Sequence, residues 1–123
     1  MPDPKRFPTV LLRHDLPDGS HHFDWMLARD DHGPLLTFRL DRDIGLDPGP
    51  FQAAPIGDHR RVYLEREGPV SGNRGTVSRI ACGWCVISES GPTQIRLTLD
   101  LGCRRAKLRG IRQADGRFLF EDA

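Results

Sequence analysis

The sequence predicts an all-β domain, and three features predict it. Short runs rich in β-branched, aromatic and leucine residues recur along the chain. Ten prolines and thirteen glycines separate them. No segment carries helical periodicity over three turns. Many short strands at this spacing point to a closed or nearly closed barrel, or to a sandwich.

The elements follow in order. Residues 9–13 read as a first strand. Residues 22–29 alternate with period two, placing Phe23, Trp25 and Leu27 on one face and His22, Asp24 and Met26 on the other. Residues 35–40 form a third strand after the turn Asp30-Asp31-His32-Gly33-Pro34. Residues 41–50, with Gly45, Pro48, Gly49 and Pro50, are a loop. Residues 59–67 read as the next long strand. Gly72-Asn73-Arg74-Gly75 is a turn, after which residues 76–80 and 84–88 read as a hairpin. Strands at 94–99, 106–108 and 117–121 complete the series. At most one or two short helices are expected, near 41–46 or 102–106.

The 123 residues amount to one domain, with residues 1–8 expected as a flexible N-terminal segment. Eighteen basic and seventeen acidic residues leave a formal charge of +1. That balance gives no long-range pull toward nucleic acid, so any such contact depends on a local basic patch. No stretch approaches the apolar length of a membrane span, and Arg13 and His14 cut short the apolar run of residues 10–12. Three cysteines are an odd count and suggest free thiols in a reducing cytoplasm.

The segment richest in chemistry runs from His14-Asp15 through Pro17-Asp18-Gly19 to His22-Phe23-Asp24. Residues i and i+2 of a strand share a face, so His22 and Asp24 can approach one ion together. A hairpin through the Pro-Asp-Gly turn would bring His14 alongside. Two imidazoles and one carboxylate suit manganese, zinc or iron and leave coordination positions open. A second segment, Asp58-His59-Arg60-Arg61-Val62-Tyr63, places His59, Arg61 and Tyr63 on one face if it is a strand. All three can donate hydrogen bonds to anionic oxygens. Taken alone, the pattern reads first as an edge strand with polar residues facing solvent.

Other motifs carry less. Cys82-Gly83-Trp84-Cys85 is a lone CxxC whose thiols face opposite sides of a strand, and only Cys103 remains to join them. Arg104-Arg105-Ala106-Lys107-Leu108-Arg109 is a candidate contact for a nucleic-acid backbone. Trp25 and Trp84 are expected in the core. Phosphate-binding glycine loops, dinucleotide-binding fingerprints and nucleophile elbows are absent.

In this order, the motifs resemble the N-terminal 3′-phosphoesterase domain of bacterial DNA ligase D and its stand-alone relatives. His14-Asp15 and His22-Phe23-Asp24 match the family's opening pattern, with a turn about two residues longer. Phe38 stands at a tryptophan position. Asp58-His59 and Tyr63, then Glu67-Gly68, the 72–75 turn and Thr76-Val77, look like the family's middle section. Residues 95–97, 107–110 and 118–120 are similar to its closing strands. The likeness spans nearly the whole chain after residue 8.

The resemblance implies a compact single-domain β-barrel of about eight short strands. It also implies metal-dependent removal of a 3′-ribonucleotide or 3′-phosphate from DNA ends in repair. His14, His22 and Asp24 would hold the divalent metal, with manganese the first choice and zinc or another transition metal the alternatives. His59 would contact the scissile phosphate, with Tyr63 in support and His14 sharing in catalysis. The implied partners are DNA or RNA–DNA 3′ ends and a separate ligase or polymerase of end-joining repair, in the cytoplasm, with no membrane. Met26 stands where the family has an arginine, and a second family arginine has no match in residues 51–55. Arg42 corresponds to a basic turn residue, Arg39 or Arg74 would replace the missing donor, and Arg61 would add to phosphate binding. Two alternatives stand beside this reading, the first favoured by Met26 and the second by a groove that is not basic. One is a catalytically weakened, metal-binding module for DNA ends or a repair partner. The other is a phosphoesterase for a smaller substrate.

Overall fold

The computed structural model describes residues 4–47 and 49–123. Its strands are β1 (Phe7–Asp15), β2 (His21–Leu27), β3 (Leu35–Leu40), β4 (Phe51–His59), β5 (Gly68–Pro69), β6 (Thr76–Ser90), β7 (Gln94–Asp100), β8 (Arg105–Arg112) and β9 (Phe118–Asp122). The one helical element among the described residues is a 3₁₀ turn, Arg61–Leu64. Neighbours run β1-β2-β3-β4-β9-β8-β7-β6, and β6 pairs back onto β1. Eight antiparallel strands thus close a barrel, and the two-residue β5 lies against β6. Closure leaves the eight strands with no long open edge.

The barrel interior is filled by one face of each strand. Leu11, Phe23, Trp25, Leu27, Phe38, Phe51 and Phe120 meet there. Trp25 lies at ring-centroid distances of 5.6 Å from Phe38, 5.7 Å from Phe51 and 5.3 Å from Phe120. Its Nε1 donates to Thr9 Oγ1 at 3.1 Å, and Thr9 Oγ1 donates to the Met26 carbonyl at 2.8 Å. Both buried polar groups are therefore satisfied, which removes a desolvation penalty of about 1–3 kcal/mol each.

A second apolar cluster lies outside the barrel wall. Val10, Leu12, Met26, Ala28, Leu35 and Val77 form it, with Tyr63, Leu64 and Val70 packed against it. The outer face of β1 and β2 is thus covered as well, and this decides where the polar residues of that face sit.

Several sequence expectations are corrected. The expected strand at 59–67 does not form: β4 ends at His59, and the chain turns into the 3₁₀ segment. Folding Tyr63 and Leu64 onto the outer cluster wins over local alternation. Pro55 and Gly57 obscured β4, yet β4 pairs with β9 only through Phe51, Gln52 and Ala53. Beyond Ala53 the strand is paired with β3 alone, and a proline is tolerated in such an edge segment. The expected hairpin at 76–80 and 84–88 is instead one 15-residue strand. Gly83 marks a close crossing rather than a turn, since a Cβ there would fall 1.7 Å from the Asp100 carbonyl oxygen. Residues 41–46 and 102–106 form no helix. Of the N-terminal segment 1–8, residues 1–3 lie outside the described residues, and Phe7 and Pro8 already belong to β1. Pro48, expected in the 41–50 loop, also lies outside them. Trp25 is in the core, whereas Trp84 lies half-buried outside the barrel.

Candidate metal centre

β1 and β2 form the expected hairpin, and its register sets the site. His14 is the direct cross-strand partner of His22, and Leu12 is the partner of Asp24. The outer face therefore carries His14, His22 and Asp24 together. Each offers one ligand atom, and these atoms lie within 4.8 Å of one another. Donors about 2.1 Å from a shared ion sit at most about 4.2 Å apart. Closing the widest pair is a shift of about half an ångström, within reach of side-chain rotation. The three residues form a cluster that could hold a metal ion.

Each candidate ligand is placed by a neighbour. His14 Nε2 lies 2.6 Å from the carbonyl oxygen of Arg74. A carbonyl only accepts, so Nε2 carries the proton and Nδ1 keeps its lone pair for a metal. A ligand histidine commonly donates its second nitrogen in this way, which fixes both tautomer and ring angle. The turn that delivers this carbonyl depends on Gly75, whose φ is +96° and whose added Cβ would fall 1.9 Å from the Asp15 carbonyl oxygen.

Asp24 is only 9% exposed at its side chain. Its Oδ1 accepts from Arg39 Nε at 3.2 Å, while Oδ2 stands 3.5 Å from His22 Nε2. That nitrogen is buried and has no hydrogen-bond partner. Two donors about 2.1 Å from one ion and this far apart subtend close to a tetrahedral angle. Burial holds the His22 pKa below its ordinary value, against the pull of the Asp24 charge, and the charges of Arg39 and His14 lower it further. At neutral pH the ring is uncharged, the form that binds metals.

A depression of about 190 Å³ opens beside the cluster. Leu12, Met26, Val70 and Val77 give it an apolar lining, and His14, Asp24, Arg39, His59, Tyr63 and Arg74 supply its polar groups. His59 Nδ1 lies 2.8 Å from the Gly57 carbonyl, to which it donates, leaving Nε2 unprotonated in the neutral ring. The Tyr63 ring meets His59 edge-on at 5.3 Å. Asp58, the other half of the Asp-His pair, is held by Arg29 at 2.5 Å.

The fold thus gathers His14, His22, Asp24, Arg39, His59, Tyr63 and Arg74. It does not bring in Arg61 or Arg42. Arg61 belongs to the 3₁₀ turn, not to a strand face shared with His59 and Tyr63, and its Nη1 donates to the carbonyls of Asp30 at 3.0 Å and Gly33 at 3.3 Å. Arg42 is engaged in its own loop by Asp47 at 3.3 Å and by the Pro50 carbonyl. Arg74 side-chain nitrogens bond Ser71, so its nearest role is the carbonyl that orients His14. Sequence reasoning missed that carbonyl, because a backbone acceptor leaves no residue-type signal. Met26 is 1% exposed and lines the depression without a hydrogen-bond donor.

The cysteines form no thiol cluster. Cys82 and Cys103 are exposed, and Cys85 is buried, which pushes its thiol pKa up to about 12. Among the described residues, no helix is long and apolar enough to cross a membrane.

The fold and the site define a class, an antiparallel β-barrel with a His/His/Asp cluster on its outer wall. No protein-family model matches the chain, and no curated protein matches it either.

Proposed function

We propose that the chain is a metal-dependent phosphoesterase acting on the 3′ ends of DNA, in the manner of the ligase D phosphoesterase domains that its sequence resembles. One observation carries the reading: the buried, unpartnered Nε2 of His22 stands 3.5 Å from Asp24 Oδ2, opposite His14. An unpartnered buried donor or acceptor costs about 1–3 kcal/mol, and a ligand that restores the missing interaction removes this cost.

Manganese is the proposed metal, because one carboxylate, two imidazoles and open positions suit it; zinc is the main alternative. When bound, a divalent cation supplies Lewis acidity to a phosphoryl oxygen. The protein's own groups do the rest. His59 Nε2, unprotonated in the neutral ring, serves as a proton acceptor, and as a donor to a phosphoryl oxygen once protonated. Tyr63 braces the His59 ring. Arg39 orients Asp24 and brings positive charge to the same depression, where such groups favour charge developing on a phosphoryl group. The proposed substrates are DNA ends carrying a 3′-phosphate or a single ribonucleotide, with a ligase or polymerase of end joining as partner and the cytoplasm as the site of action.

The direct test is manganese-dependent hydrolysis of such a primer, with His22→Ala as control. Product that disappears in the variant supports the reading. Turnover that survives in the variant, or is absent from the wild type, sinks it. A second reading rests on Met26, which fills the depression where the family carries an arginine. In it the chain binds metal and DNA ends without turnover. Metal binding with no hydrolysis of any 3′ end favours this reading over the first.

A further inference from the structure

A second cationic region lies at the other end of β1. Trp84, on the outer face of β6, is flanked by two guanidinium groups, that of Arg6 at 3.9 Å from the ring centre and that of Arg105 at 5.4 Å. These residues and Lys107 line a depression of about 370 Å³. Other arginines are matched with acids, among them Arg29 with Asp58, Arg96 with Glu89, Arg109 with Glu121 and Arg117 with Asp115, while Arg61 and Arg74 are held by carbonyls and Ser71. Arg6, Arg105 and Lys107 form no ion pair among the described residues. The nearest acid along the strands is Asp100, cross-strand partner of both Trp84 and Arg105. Its Oδ1 is taken by the Gly102 N–H at 2.7 Å.

Two guanidinium groups over one indole and an ammonium lining the same depression repel one another, and the one carboxylate in register with them, Asp100, offsets only part of that charge. The arrangement is complementary to a chain of negative charges with flat groups attached. Guanidinium forks match phosphate oxygens, and cations held over an aromatic face keep their position. Resting on the reading of the chain as a DNA-end enzyme, we propose that Arg6, Trp84, Arg105 and Lys107 form a remote anchor for the phosphate backbone of the duplex whose 3′ end enters the metal cluster.

The spacing suits this role. Trp84 pairs with Pro8, and the metal cluster begins at His14 on the same strand. At about 3.3 Å per residue, the two sites lie about 20 Å apart along β1. One strand of B-DNA advances about 3.4 Å per nucleotide, so the anchor meets the backbone about six nucleotides from the 3′ end.

The test measures binding of DNA hairpins with stems of four and twelve base pairs, without added metal, across a salt series. Wild type is compared with the Arg105→Ala/Lys107→Ala double variant and with Lys107→Ala alone. Each lost phosphate contact lowers the slope of log affinity against log salt by about 0.9. The expected result on the long stem is a loss of about 2 in slope for the double variant and about 1 for the single one. No change is expected on the short stem. Manganese-dependent hydrolysis of a small phosphodiester should stay unchanged, which also reports intact folding. An unchanged slope on the long stem overturns the anchor, as does competition by polyglutamate equal to that by DNA. A wild type that binds neither stem removes the DNA-end reading itself. Tight wild-type binding with an untouched slope removes only the anchor.

Discussion

The two faces of β2 are both buried, yet they do opposite things. Phe23, Trp25 and Leu27 face the barrel interior, where the indole N–H and the Thr9 hydroxyl each find a partner. His22, Asp24 and Met26 face the outer wall, where a buried imidazole nitrogen has none. The interior face is saturated, so its burial becomes stability. The outer face leaves His22 Nε2 with only a long 3.5 Å contact to Asp24, and a bound cation would strengthen the interactions there. The comparison teaches that the fraction buried does not separate core from site; on β2 the difference is an unmatched imidazole nitrogen beside a carboxylate and a second imidazole.

The comparison breaks most visibly on the interior side. Trp25→Ala should lower stability by about 3–5 kcal/mol, read from denaturant midpoints, because a large aromatic leaves a cavity among fixed rings. A loss below 1 kcal/mol would mean that the interior is less closely packed than the ring contacts indicate.

On the outer side the effect should appear only with metal. At manganese a hundred times above its dissociation constant, the wild type should gain about 2.7 kcal/mol, seen as a rise in Tm. His22→Ala should gain nothing, while its metal-free stability stays within about 1 kcal/mol of wild type. Equal metal-induced shifts in both proteins would remove His22 from the ligand set.

Arg39→Ala sharpens the contrast one step out. Arg39 holds Asp24 Oδ1 and leaves Oδ2 toward His22. Losing such an orienting partner typically costs 10–100-fold in metal affinity, and calorimetric titration would measure it. Unchanged affinity would mean that Asp24 is fixed by its burial alone.

The smallest effect is on pH. The pKa of His22 in the folded chain lies below its ordinary value of 6.5, chiefly through burial. The unfolded chain therefore binds the proton more readily. Stability is fully present above the ordinary value and is lost as pH falls through it toward the folded pKa. Metal-free Tm measured over that range should drop in the wild type and drop less in His22→Ala. Parallel curves would assign the acid sensitivity elsewhere.

Much of the barrel was legible in residue order. The alternation of residues 22–29 gave β2 with both faces correctly assigned, and Leu35–Leu40 and Gln94–Asp100 were equally clear. The three candidate metal ligands were legible because two share a strand at i and i+2 and the third lies across a turn marked by Pro, Asp and Gly. The remainder of the site was not. Tyr63 stands by His59, but through a 3₁₀ turn rather than strand alternation. Arg61 and Arg42, expected at the phosphate, are held elsewhere by carbonyls and by Asp47.

The sequence by itself therefore determined the strand-rich class, the two-faced β2 and the three residues of the cluster that could hold a metal ion. These depend on steric preferences and a period of two, which act over a few residues. Tertiary structure alone decided that β6 runs unbroken past Gly83, that β4 takes in Pro55, that the Arg74 carbonyl orients His14, and that Trp84 lies outside among cations. Each of these depends on what a distant strand places alongside, and cross-strand partners, ladder vacancies and buried backbone acceptors exist only once the barrel has closed.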